Sequence, residues 1–457
     1  MSATDSMATD SMATDSMATD QSSTGGAAAI DEAAAGALLE FLGSSPSPYH
    51  AVQTAAGLLD AAGFARIDPA ASWPTGPGRR YVRSGGALVA VVEPARARPA
   101  TGFGIVAAHT DSPTLRVKPN ADIGAAGWQQ VGVDVYGGAL LNTWLDRDLG
   151  VAGRLALRDG STRLVRIDTP ILRVPQLAIH LDREVNTAGL KLDRQTQIIP
   201  VSGLGPRRPG AFRAVLADAA GVCADDVLAH DLALFDLAPP ARLGTAGEFV
   251  SSGRLDDQFC AWAAVTALIG ASAVDGAGAA AGRLVVALFD HEEVGSASTT
   301  GAGGSLLPGI LERVVLAAGG GREDLHRALV GSLLVSADMA HAAHPNYPDR
   351  VEPAHAPLPN GGPVVKVNAG QRYATDGPGH AAFVAACERA RVPHQVYVHR
   401  SNLPCGSTIG PILATRLGIA TVDVGAAQLS MHSARELAGA ADAGLLARAL
   451  TAALTGG

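Results

Sequence analysis

RLVVALFDHEEVGSAS, Arg283–Ser298, is an apolar run that closes on an acid, an imidazole and two further acids. The run reads as a strand, and its polar end reads as a place where chemistry is carried. On a continuing strand Glu292 and Glu293 point to opposite faces. For both to share one site, the chain must leave strand geometry after Asp290, which Gly295 and the small residues behind it permit.

Outward from this stretch, strands and helices alternate. After Gly253 the chain runs through QFCAWAAVTALI, RLVVALFD, SLLVSAD, HQVYVH and IATVDV, and before it lie ALVAVVE (Ala87–Glu93) and FGIVAAH (Phe103–His109). That rhythm predicts an α/β domain. Two opening helices are expected, DEAAAGALLEFLG from Asp31 and AVQTAAGLLDAAG from Ala51.

Between residues 116 and 247 the texture changes to Gly-punctuated strand candidates, RLALRDG, RLVRIDT and ILRVPQLAIH, with one helical stretch near Ala224. The expected organisation is therefore a β-rich insertion at 116–247 interrupting an α/β domain formed by 27–115 and 248–457. Residues 1–26, MSATD and three copies of SMATD followed by QSSTGG, are polar and repetitive and are expected to be disordered.

Composition narrows the function classes. The chain has 457 residues, enough for two domains, and 35 Lys plus Arg against 43 Asp plus Glu give a formal net charge of -8 with no basic block. Nucleic acid is a poor partner for such a surface. The four cysteines, Cys223, Cys260, Cys387 and Cys405, have no CxxC spacing and read as reduced core thiols. Neither a leader nor an apolar run of about 18 residues occurs, so a cytoplasmic protein away from membranes is expected.

Three apolar strands end on metal-competent side chains. His109 and Asp111 follow FGIVAA, Glu292 and Glu293 follow LVVALFD, and Asp338 ends SLLVSA. In open α/β sheets ligands bind beyond the carboxyl ends of the strands, so these residues are expected to converge. Asp256 in RLDDQF and His432 in LSMHSARE sit where a loop meets a helix. Two imidazoles with three carboxylates suit zinc better than magnesium. Five ligands serve two ions if one carboxylate bridges, leaving a separate base for an attacking water. Any one of these residues alone is more often a cap, a turn former or a solvated charge. Asp146 and Asp148 are expected to pair with Arg147 and Arg154. His180, closing a β-rich run, reads first as a hydrogen-bonded structural histidine.

The blocks AAHTDSPTLRVKP, VYGGALLNTWLDRDLGVAGR, RLDDQF, DHEEVGS, SADMAHAAHPNYPD, KVNAGQRYA, PCGSTIGPILATRLG and MHSARE occur in this order. In them the chain resembles the M18 family of metalloaminopeptidases, the aspartyl aminopeptidases, from about Ser45 to the last helix. The resemblance implies a zinc-peptidase α/β catalytic domain, a β-rich dimerisation domain and a homo-oligomer, a dodecamer.

By motif, the resemblance gives His109 and Asp338 one zinc, Glu293 and His432 the other, and Asp256 the bridge. Glu292 becomes the general base and Asp111 orients His109. Manganese or cobalt are possible substitutes for zinc. The implied substrates are peptides with N-terminal Asp or Glu, met by Lys366 with His341 nearby, while His180 reaches into a neighbouring subunit's site. Two positions depart from the family pattern: Asp257 and His291 stand where Asn is common. Competing expectations are another metal-dependent amide hydrolase, such as a deacylase, and a non-catalytic scaffold.

Overall fold

The computed structural model describes residues 29–273 and 282–456. The SMATD repeat lies outside the described residues. The first helix, Glu32–Ser44, begins where the Asp31 side chain accepts the Ala34 N–H, satisfying one otherwise free donor of the first turn. The second, Pro48–Ala61, starts about one turn earlier than the apolar spacing suggests. Ser47 caps it and Pro48 takes the first position, where a missing N–H costs nothing.

A nine-stranded sheet organises most of the chain. From one edge its strands are Ala65–Arg66, Gly78–Ser84, Ala87–Glu93, Arg283–Phe289, Phe103–His109, Leu333–Ala337, Ala420–Gly425, Val364–Val367 and Gln395–Val398. The four strands at the centre are mutually parallel. Helices cover both faces, which explains why the strands are apolar throughout and do not alternate with polar residues. Leu284, Val286 and Leu288 face a core built with the helices Leu255–Ala273 and Ala440–Thr455. Val285, Ala287 and Phe289 face a second core built with Leu306–Ala317 and Ile409–Leu417.

Arg283, at the start of its strand, is fully buried. A buried guanidinium is tolerable only with its donors satisfied. Here Nε donates to Glu93 at 2.8 Å, and the other nitrogens donate to the carbonyls of Arg98, Pro99 and Thr101.

Strand register fixes where polar residues emerge. Phe289 lies opposite His109, and Ser336 lies opposite Ala107, so Asp338 falls level with His109 at the same end of the sheet. The α/β expectation is met in these strands and their covering helices.

Between His109 and Leu255 the chain forms a six-stranded antiparallel sheet in the order Thr162–Leu172, Leu149–Leu157, Val227–Asp236, Thr114–Ala125, Trp128–Tyr136, Val201–Leu204. It has its own core, with Leu115, Val151, Leu234 and the helix Ala211–Ala220. A smaller five-stranded sheet joins Ala241–Leu243 and Phe249–Ser252 to Glu436–Gly439, Ala427–Leu429 and Ala340–His341.

Several local expectations change. PQLAIH is not strand: pairing ends with Val174, and Pro175, which lacks an N–H, begins an exposed segment that includes His180. Near Ala224 there is only a 3-10 turn, Ala224–Asp226, and the helix precedes it. Asp146 and Asp148 both face Arg173, while Arg147 pairs with Asp236 and Arg154 with Asp231. Asp146 has φ 56°, so the backbone turns there and sequence neighbours do not meet. All four cysteines are free; Cys260 and Cys387 are buried, whereas Cys223 is exposed and Cys405 half-buried, so only two are core thiols. No described helix is long and apolar enough to cross a membrane.

Candidate functional site

The carboxyl ends of the central parallel strands carry the expected cluster. His109 ends its strand 1% exposed, with Nδ1 3.1 Å from the carbonyl oxygen of Asp111 and 3.4 Å from the Asp111 carboxylate. An Nδ1–H donated there leaves the Nε2 lone pair free, and Nε2 faces Asp256 Oδ1 at 3.4 Å.

Asp256 stands in extended backbone before its helix straightens. The peptide between Asp256 and Asp257 is cis. Its two carboxylate oxygens face different imidazoles, Oδ1 towards His109 and Oδ2 towards His432 Nε2, each at 3.4 Å. His432 Nε2 is also 3.4 Å from Glu293 Oε2. Asp338 receives a hydrogen bond from the Lys366 ammonium at 3.2 Å, and the same ammonium donates to the Met339 carbonyl.

The chain leaves strand geometry after Asp290, as sharing of one site by Glu292 and Glu293 demands. His291 has φ 66° and Gly295 φ 95°, and Glu292–Val294 form a 3-10 turn. The Asp111 carboxylate accepts the backbone N–H of Glu292 at 3.1 Å and of Glu293 at 3.2 Å. Asp111 therefore pins the turn as well as lying beside His109, a task that sequence reasoning missed. His291, one of the two departures from the family pattern, hydrogen-bonds Ser298 through Nδ1 at 2.8 Å and closes the turn from outside.

Three groups of donors come together, each within 4.8 Å: His109 with Glu292 and Glu293; His109 with Asp256 and Asp338; and Asp256 with Glu293 and His432. His341 lies beside them, its ring 5.9 Å from Tyr397 and 6.3 Å from His399. His180 is exposed and does not join these groups.

So many carboxylates under one roof cannot all carry charge cheaply. Burial, then repulsion from Asp256, pushes Glu293 well above the usual carboxylate range. Burial raises Glu292 to about 7. Burial favours neutral His432, yet the bond to Asp256 outweighs it and raises the imidazole to about 9. Asp256 itself is lowered: burial opposes ionisation, but His109 and His432 prevail. Among the buried oxygens without a hydrogen-bond partner are one from each of two cluster carboxylates, Asp256 Oδ1 and Glu293 Oε1, and Oδ1 of the neighbouring Asp257. Orphaned charged acceptors are expensive unless a cation meets them.

Glu436 was also missed. Buried to 2% exposure, it accepts the N–H of Asp256 at 3.1 Å and of His432 at 2.7 Å, tying both residues to one carboxylate. The available signal was its place four residues after His432 in MHSARE.

Fold and site together define a metallopeptidase, a hydrolase built on an α/β sheet. The chain belongs to the M18 aminopeptidase family: residues 41–452 match the family model described as aminopeptidase I zinc metalloprotease (M18). It is 54% identical over 419 residues to a probable M18 family aminopeptidase 2 of Streptomyces coelicolor, covering 91% of this chain and 96% of that protein. With the Mycobacterium tuberculosis protein of the same description it shares 53% over 431 residues, 93% and 98% of the two chains. Among solved structures, the S. cerevisiae mApe1 dodecamer superimposes with a TM-score of 0.80 at 30% identity, over 92% of this chain and 95% of that one. A Thermotoga maritima M18 aminopeptidase, 23% identical, shares the fold at TM-score 0.82, over 93% and 96% of the two chains.

Proposed function

We propose that this aminopeptidase works with two zinc ions per subunit, His109 and Asp338 holding one, Glu293 and His432 the other, and Asp256 bridging. The observation that carries the reading is the way Asp256 splits its two oxygens between two imidazoles at equal distance. Two ligand atoms each about 2.0–2.1 Å from a tetrahedral zinc lie about 3.3 Å from each other. The 3.4 Å gaps around Asp256, His109, His432 and Glu293 suit that spacing, and the orphaned oxygens are where a cation is wanted. Manganese or cobalt fits the same donors.

Two such ions, when bound, supply Lewis acidity to a peptide carbonyl and to water. The chain's own residues do the rest. Glu292, held at the mouth of the cluster by the Asp111 bond to its N–H, takes the proton of the attacking water and returns it to the leaving amine. Asp111 keeps the His109 Nε2 lone pair turned inward.

Preference for N-terminal Asp or Glu would rest on Lys366. An ammonium has three donors, and on this side chain, 2% exposed, Asp338 and the Met339 carbonyl take two, so a substrate carboxylate would have at most the third. His341 adjoins that position, and His180 would arrive from a neighbouring subunit. That role suits its exposed segment, where Leu177, Ile179 and Leu181 also face outward. The β-rich insertion, residues 116–247, which holds most of the six-stranded sheet, would carry dimer contacts within a cytoplasmic homo-oligomer, a dodecamer like the mApe1 assembly.

The rival chemistry is deacylation of an N-blocked amide. Free-amine peptides and their N-acetylated forms, assayed side by side, separate the two. We expect hydrolysis of the free amines and at least about a hundredfold lower kcat/KM for the blocked ones, since acetylation removes the basic amine and adds bulk at the terminus an aminopeptidase must accommodate. Comparable rates would replace the aminopeptidase reading with the deacylase.

A further inference from the structure

Tyr136 closes the strand Trp128–Tyr136 of the six-stranded sheet, and the backbone then passes over the donor cluster of the nine-stranded sheet. Its hydroxyl donates to Asp111 Oδ2 at 2.6 Å, inside the range of a charge-assisted bond. The carboxylate it reaches is the one that lies against His109 and receives the Glu292 and Glu293 N–H groups.

Two residues on, the Gly138 carbonyl lies 3.2 Å from His432 Nδ1 and accepts its proton. The strap is then sewn to the His432 loop, because Leu140 N–H donates to the His432 carbonyl and Ala434 N–H donates to Thr143 Oγ1. The strap runs close over the cluster at both glycines, and at Gly137 the left-handed backbone also favours glycine. Gly137 has φ 70°, and a side chain there would meet Glu293 Cβ at 3.1 Å; one on Gly138 would meet His432 Nδ1 at 3.2 Å.

We propose that the strap Tyr136–Gly138 makes the six-stranded sheet a positioning element for both halves of the cluster, through Asp111 on one side and His432 on the other. A donor bond at one ring nitrogen decides which nitrogen offers its lone pair. Gly138 thereby presents His432 Nε2 to Asp256 and Glu293, while Tyr136 holds the carboxylate that sets His109 and the Glu292–Glu293 turn. Neither residue touches substrate; both act through others. The inference rests on the proposed reading of the cluster as a zinc site.

Tyr136→Phe tests it, because the ring keeps its contacts with Arg116, 3.9 Å over its face, and with His291. The wild type and the variant are stripped of metal and titrated with zinc against a chromophoric chelator, and their cobalt(II) forms are compared by visible absorption. We expect the variant to fold with a wild-type circular dichroism spectrum, to bind zinc about tenfold more weakly, to shift its cobalt bands, and to lose kcat with KM little changed.

Gly138→Ala crowds His432 alone and should weaken one of the two zinc equivalents selectively; it carries the test if Tyr136→Phe fails to fold. Wild-type zinc affinity and cobalt spectrum in the folded variants would overturn the proposal. A wild-type protein that binds no zinc would instead remove the reading of the site, and this inference with it.

Discussion

Glu292→Gln is expected to keep its metal and lose its turnover. The change preserves the shape of the side chain and, because the Asp111 contact is to the backbone N–H, leaves the turn intact. What disappears is the only group in the proposed mechanism that moves a proton, and general-base catalysis contributes about 10²–10⁴-fold. The expected result is kcat reduced by about that factor with zinc per subunit unchanged by elemental analysis.

The pH profile adds a second readout. Burial holds the free carboxyl at about 7 without a cation, and a nearby dication stabilises the charged form and lowers it. The base must be ionised to act, so wild-type kcat/KM should fall as pH drops through a value below about 7. The variant's residual rate should lack that acidic limb. Full turnover at full zinc occupancy would remove Glu292 from the role.

Asp256→Asn should act by the opposite route, through the metal. The amide keeps the volume and the backbone bonds, in which Glu436 accepts the Asp256 N–H and the Asp256 carbonyl accepts the Ser112 hydroxyl at 2.6 Å. It removes one negative charge and puts an NH2 group, a donor, where one imidazole–carboxylate pair requires an acceptor. Neither 3.4 Å gap then keeps an anionic oxygen from residue 256, and one of them faces a donor. Zinc should drop from two ions per subunit to one or fewer, and kcat/KM should fall by at least about a hundredfold, within the cost of losing Lewis-acid assistance and one positioned water. Two ions retained in the variant would show that Asp256 does not bridge. The pair of variants therefore separates metal holding from proton transfer: one keeps zinc and loses rate, the other loses both.

What could be read in advance follows the physics of each element. Phe103–His109 was legible to the residue, and Arg283–Phe289 to within one, because strands covered on both faces are apolar throughout and stop close to the first polar group. The same stopping points hold His109, Glu292, Glu293 and Asp338, so most of the cluster follows from the sheet ends. The departure from strand geometry after Asp290 was forced by the need to aim two adjacent acids at one place.

Glu436, Tyr136 and the N–H bonds to Asp111 were not legible. Glu436 and Asp111 accept backbone N–H groups 180 and 181 positions away, which leave no mark on the sequence, and the Tyr136 hydroxyl reaches Asp111 across 25 positions from a different sheet. Asp146 and Asp148 went astray for a related reason: charges adjacent in sequence suggest local pairs, whereas the left-handed turn at Asp146 and strand pairing bring Arg173 to them instead. PQLAIH shows the limit of apolar patterning, because an exposed apolar segment has the composition of a strand without a partner to bond.

We propose that Asp256, shared by two ions, is what makes this family fold hydrolytically active. The most direct test of this proposal is stepwise return of zinc to the chelated wild-type enzyme while hydrolysis of a free-amine Asp or Glu peptide is followed. Activity should be absent at the start and reach its plateau at two equivalents per subunit. A plateau at one equivalent, or hydrolysis that survives complete removal of metal, would contradict it.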